Sequence, residues 1–416
     1  MLKNLTINIL LITISLLVCL VAIEASLRIL YPKYQYAAES SFDRDSSRIW
    51  ARKANIQYQR KHPDSEQSHA VYHNNLALRQ HRNFTEEEMA AATNLGFFGD
   101  SFTENLRLPS QYSLTEPLDY LLNRQAHGFN VLNFGVDGYG TDQSYLYYSN
   151  LDYADKLDYV FYIFCLNDLR NIYENNLYTL NEEQELVKNT SAASPWWVHT
   201  LSRLHTTYLV LDIVKRLQSR ELGLDRTAIE QHYKKKDYDK RFHDQHADAI
   251  EPAFLKGEQT EQLDKSIKIF QSLLRLWSDD VKSRGGKFYM VLLPRENAHK
   301  ARNLVPEDIN VINLYEMFAG RIDNYDYNDW RFETDGHWNE AGNMLAATLL
   351  FRIMEQERNL APVTNETLKE WLYTYYSSFN GWMPEEKFVK ATSTNGNDSL
   401  DIRLKYLELE LTDSGS

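Results

Sequence analysis

One long apolar run constrains the fold of this chain more than any other feature. Residues 157–166, LDYVFYIFCL, show no regular alternation of polar and apolar side chains. A strand with that pattern is buried on both of its faces. Comparable apolar segments occur at 94–100 and 287–294, and helical patterns separate the three segments. Strands that alternate with helices predict a parallel sheet with helices packed on both sides.

Local signals predict where the helices around this sheet begin and end. The amphipathic segment 263–284 is followed by Gly285, where a helix is expected to stop. Asn339 precedes the last clear helical pattern and is the expected N-cap there. Ser113, with Glu116 three residues on, predicts the N-cap of an earlier helix.

The N-terminal segment predicts a membrane helix. Leu5 to Ile23 contains no charged residue, and the run is long enough to cross the hydrocarbon core of a bilayer. A signal peptide cleaved before Ser26 is the alternative, although the apolar run exceeds the usual signal core. Few basic residues flank the run, so they determine its orientation only weakly. We expect an uncleaved single-pass anchor, with the rest of the chain facing the periplasm or the cell exterior.

The chain is longer than one ordinary domain. At 416 residues it has room for a core of about 200 to 250 residues with additional segments. We expect a juxtamembrane segment that packs onto the core, an insertion where the strand pattern breaks into helical stretches, and a C-terminal extension. The predicted divisions are an anchor at 1–29, a juxtamembrane segment at 30–93, a core domain at 94–359 with a helical insertion at 170–261, and an extension at 360–416.

Charge and composition exclude some partners. The net charge is −13 and no basic stripe occurs, which argues against nucleic acid. No pair of histidines at helical i, i+4 spacing accompanies acids and no cysteine cluster occurs, which argues against a metal centre. The sequence suggests no cofactor. The 27 tyrosines and 8 tryptophans fill a core in the simplest interpretation, but exposed rings would also stack on sugars.

A candidate nucleophile follows the first predicted core strand. Ser101 lies in FFGDSFTE, directly after a turn at Gly99 and Asp100. Parallel strands expose side chains to a crevice at their carboxyl ends, which is where a nucleophile is useful. The alternative is that Ser101 only caps the next helix.

Two further segments supply candidate hydrogen-bond donors. Gly138 lies in NFGVDGYG, where the backbone can approach a ligand closely. Asn167 follows the most apolar strand and offers a side-chain amide. Both could donate to a developing oxyanion. The alternatives are a glycine required by a turn and a structural asparagine, and we assign the adjacent Asp168 to local hydrogen bonding.

A candidate base lies in TDGHWNEAG, before the last helix. His337 can take a proton from a serine hydroxyl, and Asp335 two residues earlier can hold the imidazole in the required tautomer. A histidine in a surface loop is the alternative. All four segments fall at the carboxyl ends of predicted strands or in adjacent loops, so we expect them to meet at one site.

In the order and context of these four segments, the chain resembles the SGNH, or GDSL-type, hydrolase superfamily, over about residues 94–356 without the insertion. The resemblance implies a three-layer α/β/α sandwich with a parallel sheet of about five strands in flavodoxin-like order. It implies Ser101 as nucleophile and His337 as base. It also implies an oxyanion hole from the backbone N–H groups of Ser101 and Gly138 and the side chain of Asn167. Many members carry an acid three residues before the histidine, where this chain has Thr334. Asp335 is therefore assigned as the orienting acid.

Three functions are consistent with these expectations. The first is a membrane-anchored serine esterase that removes acyl groups, such as acetyl, from a glycan or a small ester through an acyl-serine intermediate. The second is an O-acyltransferase that passes the acyl group to a hydroxyl of an envelope polysaccharide. The third is a polysaccharide-assembly protein that has the fold without turnover.

Overall fold

The structure is a computed structural model. It describes residues 2–30, 41–189, 204–207, 210, 249–293, 298–319 and 327–379. The chain divides into two compact units. One unit comprises Met1–Lys53 and Thr190–Gln245, and the other comprises Ala54–Asn189 and His246–Ser416.

The second unit alternates strands and helices, as the apolar pattern predicts. Among the described residues of both units, the strands are β1 (Phe42–Asp45), β2 (Ile49–Arg52), β3 (Ile56–Lys61), β4 (Ser68–His73), β5 (Thr93–Gly99), β6 (Phe129–Asn133), β7 (Tyr159–Phe164), β8 (Tyr178–Leu180), β9 (Leu186–Lys188), β10 (Lys287–Leu292) and β11 (Asn310–Asn313). The α-helices are α1 (Leu2–Leu30), α2 (Glu86–Ala91), α3 (Ser101–Glu104), α4 (Thr115–Gln125), α5 (Thr141–Ser149), α6 (Asn167–Asn175), α7 (Ile250–Lys256), α8 (Glu261–Ser283), α9 (Ala298–Arg302), α10 (Leu314–Ala319), α11 (Glu340–Glu357) and α12 (Asn365–Ser377).

A parallel sheet of five strands forms the centre of the second unit. The strand order is β11, β10, β7, β5, β6, and every neighbouring pair is parallel. When the five strands are numbered 1 to 5 in chain order and read from β6 to β11, the order is 2-1-3-4-5. This is the flavodoxin-like order. The predicted fold class is therefore confirmed. The order places the carboxyl ends of β5, β6 and β7 side by side at one edge.

One face of the sheet packs against α4, α11 and α12. Phe97 in β5 stacks on Phe161 in β7 with 4.6 Å between ring centroids. Leu118 and Leu121 of α4 and Leu350 of α11 belong to the same buried cluster. On this face α11 is buried along nearly its whole length, so its apolar side chains contribute to the core.

The opposite face packs against α5 and α8. The central side chain is Trp277 of α8. The distances from its ring centroid to those of three neighbouring rings are 5.5 Å for Phe98, 5.2 Å for Tyr162 and 5.3 Å for Phe288. These three rings come from β5, β7 and β10. Trp277 is fully buried, and truncating such a side chain to alanine typically costs about 3 to 5 kcal/mol.

The helix limits confirm two of the three predicted signals. Asn339 caps α11 by accepting a hydrogen bond from the N–H of Gly342 at 3.0 Å. Helix α8 ends at Ser283, just before Gly285. The Ser113 prediction is wrong, because α4 begins at Thr115 without a side-chain cap. The Ser113 hydroxyl instead donates to the carbonyl of Ser110 at 2.6 Å, within the preceding 3₁₀ turn.

The segments outside the sheet are described in part. Within α1, residues Leu10–Leu30 are long and apolar enough to cross a membrane, by length and composition. The juxtamembrane segment contains two antiparallel hairpins, β1–β2 in the first unit and β3–β4 in the second. In the region predicted as an insertion, the described residues form the end of α6, the β8–β9 hairpin, a short stretch at 204–207, and α7. Most of 190–248, and the C-terminal extension after 379, lie outside the described residues.

Candidate active site

A crowded turn places Ser101 at the carboxyl edge of the sheet. Gly99 ends β5 with a φ of +144°. A Cβ at this position would lie 2.5 Å from Oγ1 of Thr103 and 2.6 Å from the carbonyl oxygen of Ile163. Only glycine fits, because both the backbone conformation and the space exclude a side chain. The chain therefore turns sharply, and Ser101 follows at once.

Asp100, rather than Ser101, caps the short helix α3. Its Oδ1 accepts a hydrogen bond from the N–H of Phe102 at 3.0 Å. Ser101 is the first helical residue and retains 7% of its surface exposed. The structure thus gives the capping role to the neighbour of Ser101, and the serine hydroxyl is directed toward His337.

His337 is held by a loop that is anchored on both sides. Its carbonyl accepts a hydrogen bond from the N–H of Phe332 at 3.0 Å, and the next residue, Trp338, is buried. The cap residue Asn339 follows directly. The imidazole stacks on the ring of Phe102 with 4.7 Å between centroids. Packing on a residue next to the serine brings the imidazole to the hydroxyl.

The structure brings the three predicted catalytic side chains together. Oγ of Ser101 lies 2.6 Å from Nε2 of His337. Nδ1 of His337 is hydrogen-bonded to Oδ1 of Asp335, which also accepts the backbone N–H of His337 at 3.0 Å. Thr334, three residues before the histidine, donates its hydroxyl to Asp64 at 2.7 Å. Asp335 is therefore the acid that contacts the ring.

A partly buried arginine contacts the orienting acid on its other oxygen. Nε of Arg107 donates to Oδ2 of Asp335 at 3.2 Å, and its Nη1 lies 3.8 Å from Oδ2 of Asp137. Burial raises the pKa of Asp335, but the hydrogen bond and charge of His337 and the charge of Arg107 outweigh that effect. They hold the pKa of Asp335 well below its usual range. The carboxylate is therefore ionised at neutral pH and can stabilise a charged imidazole.

Asn167 and Ser101 contact the same carboxylate, that of Asp100, which places Asn167 beside the nucleophile. Asn167 begins helix α6, whereas strand β7 ends three residues earlier at Phe164. Its Nδ2 donates to Oδ2 of Asp100 at 3.1 Å, and the same oxygen lies 3.5 Å from Oγ of Ser101. An amide nitrogen carries two N–H groups. One is used by Asp100, and the second can donate to a substrate.

Gly138 occupies a tight turn after β6. Its φ is +82°, and a hydrogen bond of 3.0 Å from the N–H of Tyr139 to the carbonyl of Val136 closes the turn. The side chain of Asn171 donates to the carbonyl of Gly138 at 3.2 Å. Within the described parts of the chain, no protein acceptor takes the backbone N–H of Gly138 or of Ser101. Both donors remain available to a ligand.

Glu104 links the serine helix to the glycine turn. This residue of α3 is fully buried, and its Oε2 accepts the N–H of Asp137 at 2.6 Å. Neither Glu104 nor Arg107 was predicted from the sequence to have a role. Their hydrogen-bond partners, Asp137 and Asp335, lie 33 and 228 residues further along the chain. The only local signal was therefore that both residues lie within seven positions of Ser101.

Two buried aspartates next to the site have raised pKa values. Burial raises the pKa of Asp100, and both burial and the charge of Asp100 raise that of Asp168. Oδ2 of Asp168 accepts hydrogen bonds from the hydroxyl of Tyr162 at 2.6 Å and the N–H of Cys165 at 3.0 Å. These contacts agree with the local role expected for Asp168, and they fix the segment that leads to Asn167.

Comparison with known proteins gives matches of structure alone. No family model matches the sequence, and no curated protein is significantly similar to it. Among solved structures, the chain is similar to a protein from Desulfitobacterium hafniense assigned to the G-D-S-L family of lipolytic proteins. The identity is 11%, the TM-score is 0.33, and the match covers 63% of this chain and 99% of the other. That protein carries the family name that the four sequence segments resemble.

Two further matches are esterases. A catalytic variant of an acetylxylan esterase from Geobacillus stearothermophilus is 12% identical with a TM-score of 0.34, over 64% of this chain and 95% of that one. A two-domain esterase active on acetylated mannans is 13% identical with a TM-score of 0.32, over 67% of this chain and 55% of that one. Similarity at this level does not establish an activity, so the geometry of the site has to carry the functional assignment.

Proposed function

We propose that this protein is a serine esterase that hydrolyses carboxylic esters through an acyl-serine intermediate. The observation that carries the proposal is the distance of 2.6 Å between Oγ of Ser101 and Nε2 of His337, with Asp335 on the opposite ring nitrogen. A nucleophile within hydrogen-bonding reach of a base, and a third group that orients the base, are the elements of nucleophilic acyl transfer.

The geometry supports the following sequence of steps. His337 accepts the hydroxyl proton while Oγ of Ser101 attacks the ester carbonyl carbon. The resulting oxyanion receives hydrogen bonds from the N–H groups of Ser101 and Gly138 and from Nδ2 of Asn167. Collapse of the tetrahedral intermediate breaks the bond to the alcohol, which takes the proton from His337 and leaves. Water, deprotonated by His337, then attacks the acyl-serine; as the bond from the acyl carbon to Oγ breaks, His337 returns the proton to Oγ and the acid is released.

We propose acetyl esters, on a glycan or on a small alcohol, as the substrate class. The Asp-x-His spacing of Asp335 and His337 resembles that of family relatives that acetylate exopolysaccharides. Purified protein should release acetate from 4-nitrophenyl acetate and from acetylated oligosaccharides, and a fluorophosphonate should label it. Folded wild-type protein that neither releases acetate nor takes the label would favour the polysaccharide-assembly alternative.

The same assay distinguishes hydrolysis from transfer. An acyltransferase must bind an acceptor hydroxyl that competes with water for the acyl-serine. With an acetyl donor and a glycan supplied together, an esterase yields free acetate, whereas an O-acyltransferase accumulates acetylated sugar. The product ratio therefore identifies the acceptor.

We further propose that the enzyme is anchored to a membrane with its active site on the periplasmic or outer side. The length and apolar composition of the helix Leu10–Leu30 support anchoring, and a signal sequence near the N-terminus is the alternative that meets the same criteria. We expect the full-length protein to stay in the membrane fraction after alkaline carbonate extraction. Its recovery in the soluble fraction, shortened at the N-terminus, would indicate a cleaved signal.

Removing the side-chain donor should slow the chemical step. We expect Asn167→Ala to lower kcat about 100- to 1000-fold, the usual effect of losing one oxyanion donor. The matched control is Asn175→Ala on the same helix, because Asn175 donates to Gln143 at 2.7 Å and makes no contact with Ser101 or Asp100. Steady-state kinetics with 4-nitrophenyl acetate measures both variants. Wild-type kcat in Asn167→Ala would remove this residue from the oxyanion hole.

A further inference from the structure

The β3–β4 hairpin reaches the two loops that carry the site. Its strands pair from Ile56 opposite His73 to Lys61 opposite Ser68. A backbone hydrogen bond of 2.9 Å from His62 to Gln67 closes the connection between them. The sequence has little periodicity here and predicted only a segment that packs onto the core. The contacts of the hairpin are more specific than that prediction.

At the tip of the hairpin, Asp64 binds the loop of the base and its acid. Oδ2 of Asp64 accepts the backbone N–H of Glu333 at 2.8 Å. Oδ1 accepts the backbone N–H of Thr334 at 3.0 Å and its hydroxyl at 2.7 Å. Burial alone would raise the pKa of Asp64, but the hydrogen bonds from Thr334 and Glu333 lower it below its ordinary value. The carboxylate therefore stays ionised and its acceptors stay available at neutral pH.

The residues held in this way directly precede the catalytic pair. Thr334 is adjacent to Asp335, and His337 follows two residues later. The loop from 333 to 336 belongs to no helix or strand, and a backbone hydrogen bond of 3.0 Å from the N–H of Phe332 to the carbonyl of His337 closes it where Arg331 and Trp338 form an isolated bridge. Its position therefore depends on side chains such as that of Asp64. Charged acceptors on backbone N–H groups form stronger hydrogen bonds than neutral ones.

The other end of the hairpin is linked to the glycine turn through the side chain of Glu104. Nε2 of His73 lies 3.1 Å from Oε1 of Glu104, and both side chains are fully buried. The second oxygen of Glu104 holds the N–H of Asp137, next to Gly138. The hairpin thus touches the loop of the base at its tip and supports the oxyanion turn at the end of β4.

We propose that Asp64 is a positioning residue, and that it sets the alignment of the Asp335–His337 pair with Ser101 by fixing residues 333 and 334. This inference rests on the proposed function. Catalytic groups must be held within about 0.5 Å of their productive positions, and a misplacement of about 1 Å can cost on the order of 100-fold in rate. Loss of three hydrogen bonds from an irregular loop permits a displacement of that size.

Kinetics of matched variants test the role of Asp64. We expect Asp64→Ala to lower kcat for 4-nitrophenyl acetate about 10- to 100-fold, with KM within about 2-fold of wild type. Asp64→Asn keeps one acceptor oxygen and should recover part of the loss. The control is Asp158→Ala. Oδ2 of Asp158 accepts the N–H of Asn94 at 2.8 Å, near the amino end of β5, so that variant should keep the wild-type kcat even if it is less stable.

The possible results are distinguishable. Folded Asp64→Ala with wild-type kcat would overturn the positioning role and leave the esterase proposal intact. A loss of kcat equal to that of Asp158→Ala would indicate a general effect on the fold, which also contradicts the inference. If Asp64→Ala fails to fold, Thr334→Val replaces it, because this variant removes only the hydroxyl donor. It should lower kcat by a few-fold, and an unchanged value would count against the role. An inactive wild type would instead reject the esterase function itself.

Discussion

Replacing Ser101 or His337 by alanine should lower ester hydrolysis by about 10⁴-fold or more. The two side chains lie 2.6 Å apart and act on the same proton. Without the hydroxyl no acyl-serine forms, and without the imidazole the hydroxyl stays protonated and is a poor nucleophile. The double variant should be no slower than either single one, because the pair fails as a unit. Hydrolysis of 4-nitrophenyl acetate and fluorophosphonate labelling measure the effect.

Two substitutions serve as controls for this result. Ser149→Ala removes a hydroxyl that donates to the carbonyl of Leu146 within α5, and His127→Ala removes an exposed imidazole. Both should keep wild-type turnover. Full fluorophosphonate labelling of folded Ser101→Ala would show that another residue is the nucleophile.

Replacing Asp335 by asparagine should lower kcat on the order of 10³- to 10⁴-fold. The carboxylate contacts Nδ1 of His337 and fixes the tautomer in which Nε2 can accept the serine proton. An asparagine can present its NH₂ group to the ring and favour the wrong tautomer. Glu333→Gln is the matched control, because Glu333 contacts Asp64 through its backbone N–H, which the substitution leaves in place.

The lowered pKa of Asp335 determines how its contribution to folding stability changes with pH. The pKa of Asp335 is held well below its usual value. The ionised carboxylate therefore stabilises the folded state at all pH values above the unfolded-state pKa of about 3.9. That stabilisation is lost as the pH falls below this value toward the folded-state pKa. Asp335 therefore stays ionised over an assay range of about pH 6 to pH 9, and any change of turnover with pH in that range comes from other groups. A loss in Glu333→Gln alone would show that the acid is misassigned.

Much of the fold could be predicted from local patterns. The apolar run at 157–166 became β7, a central strand covered on both faces, and the alternation of strands with helices predicted the parallel sheet. The Asn339 cap was predictable because it depends on residues three positions apart. The Ser113 cap was not, because its hydroxyl bonds to Ser110 in a 3₁₀ turn that the pattern does not indicate.

The site was predictable where a strand end determines the position of a residue. Ser101, Gly138 and Asn167 follow β5, β6 and β7, and parallel strands bring their carboxyl ends together. Arg107 and Asp64 escaped prediction, because their hydrogen bonds join residues 228 to 270 positions apart. No periodicity reports such contacts. The assignment of catalytic roles stays a prediction until the variants are measured.

The hydrogen bond from the N–H of Asp137 to Glu104 couples the motion of the serine helix to that of the glycine turn. Glu104 and Ser101 belong to the same four-residue helix, so a shift of that helix carries the glycine turn with it. Oγ of Ser101 and the N–H groups of Ser101 and Gly138 then move together, and their spacing survives small fluctuations at the edge of the sheet. The imidazole stacks on Phe102 of that helix, but the loop that carries it is held by Asp64. Motion between the helix and this loop should therefore first lengthen the distance from Oγ of Ser101 to Nε2 of His337.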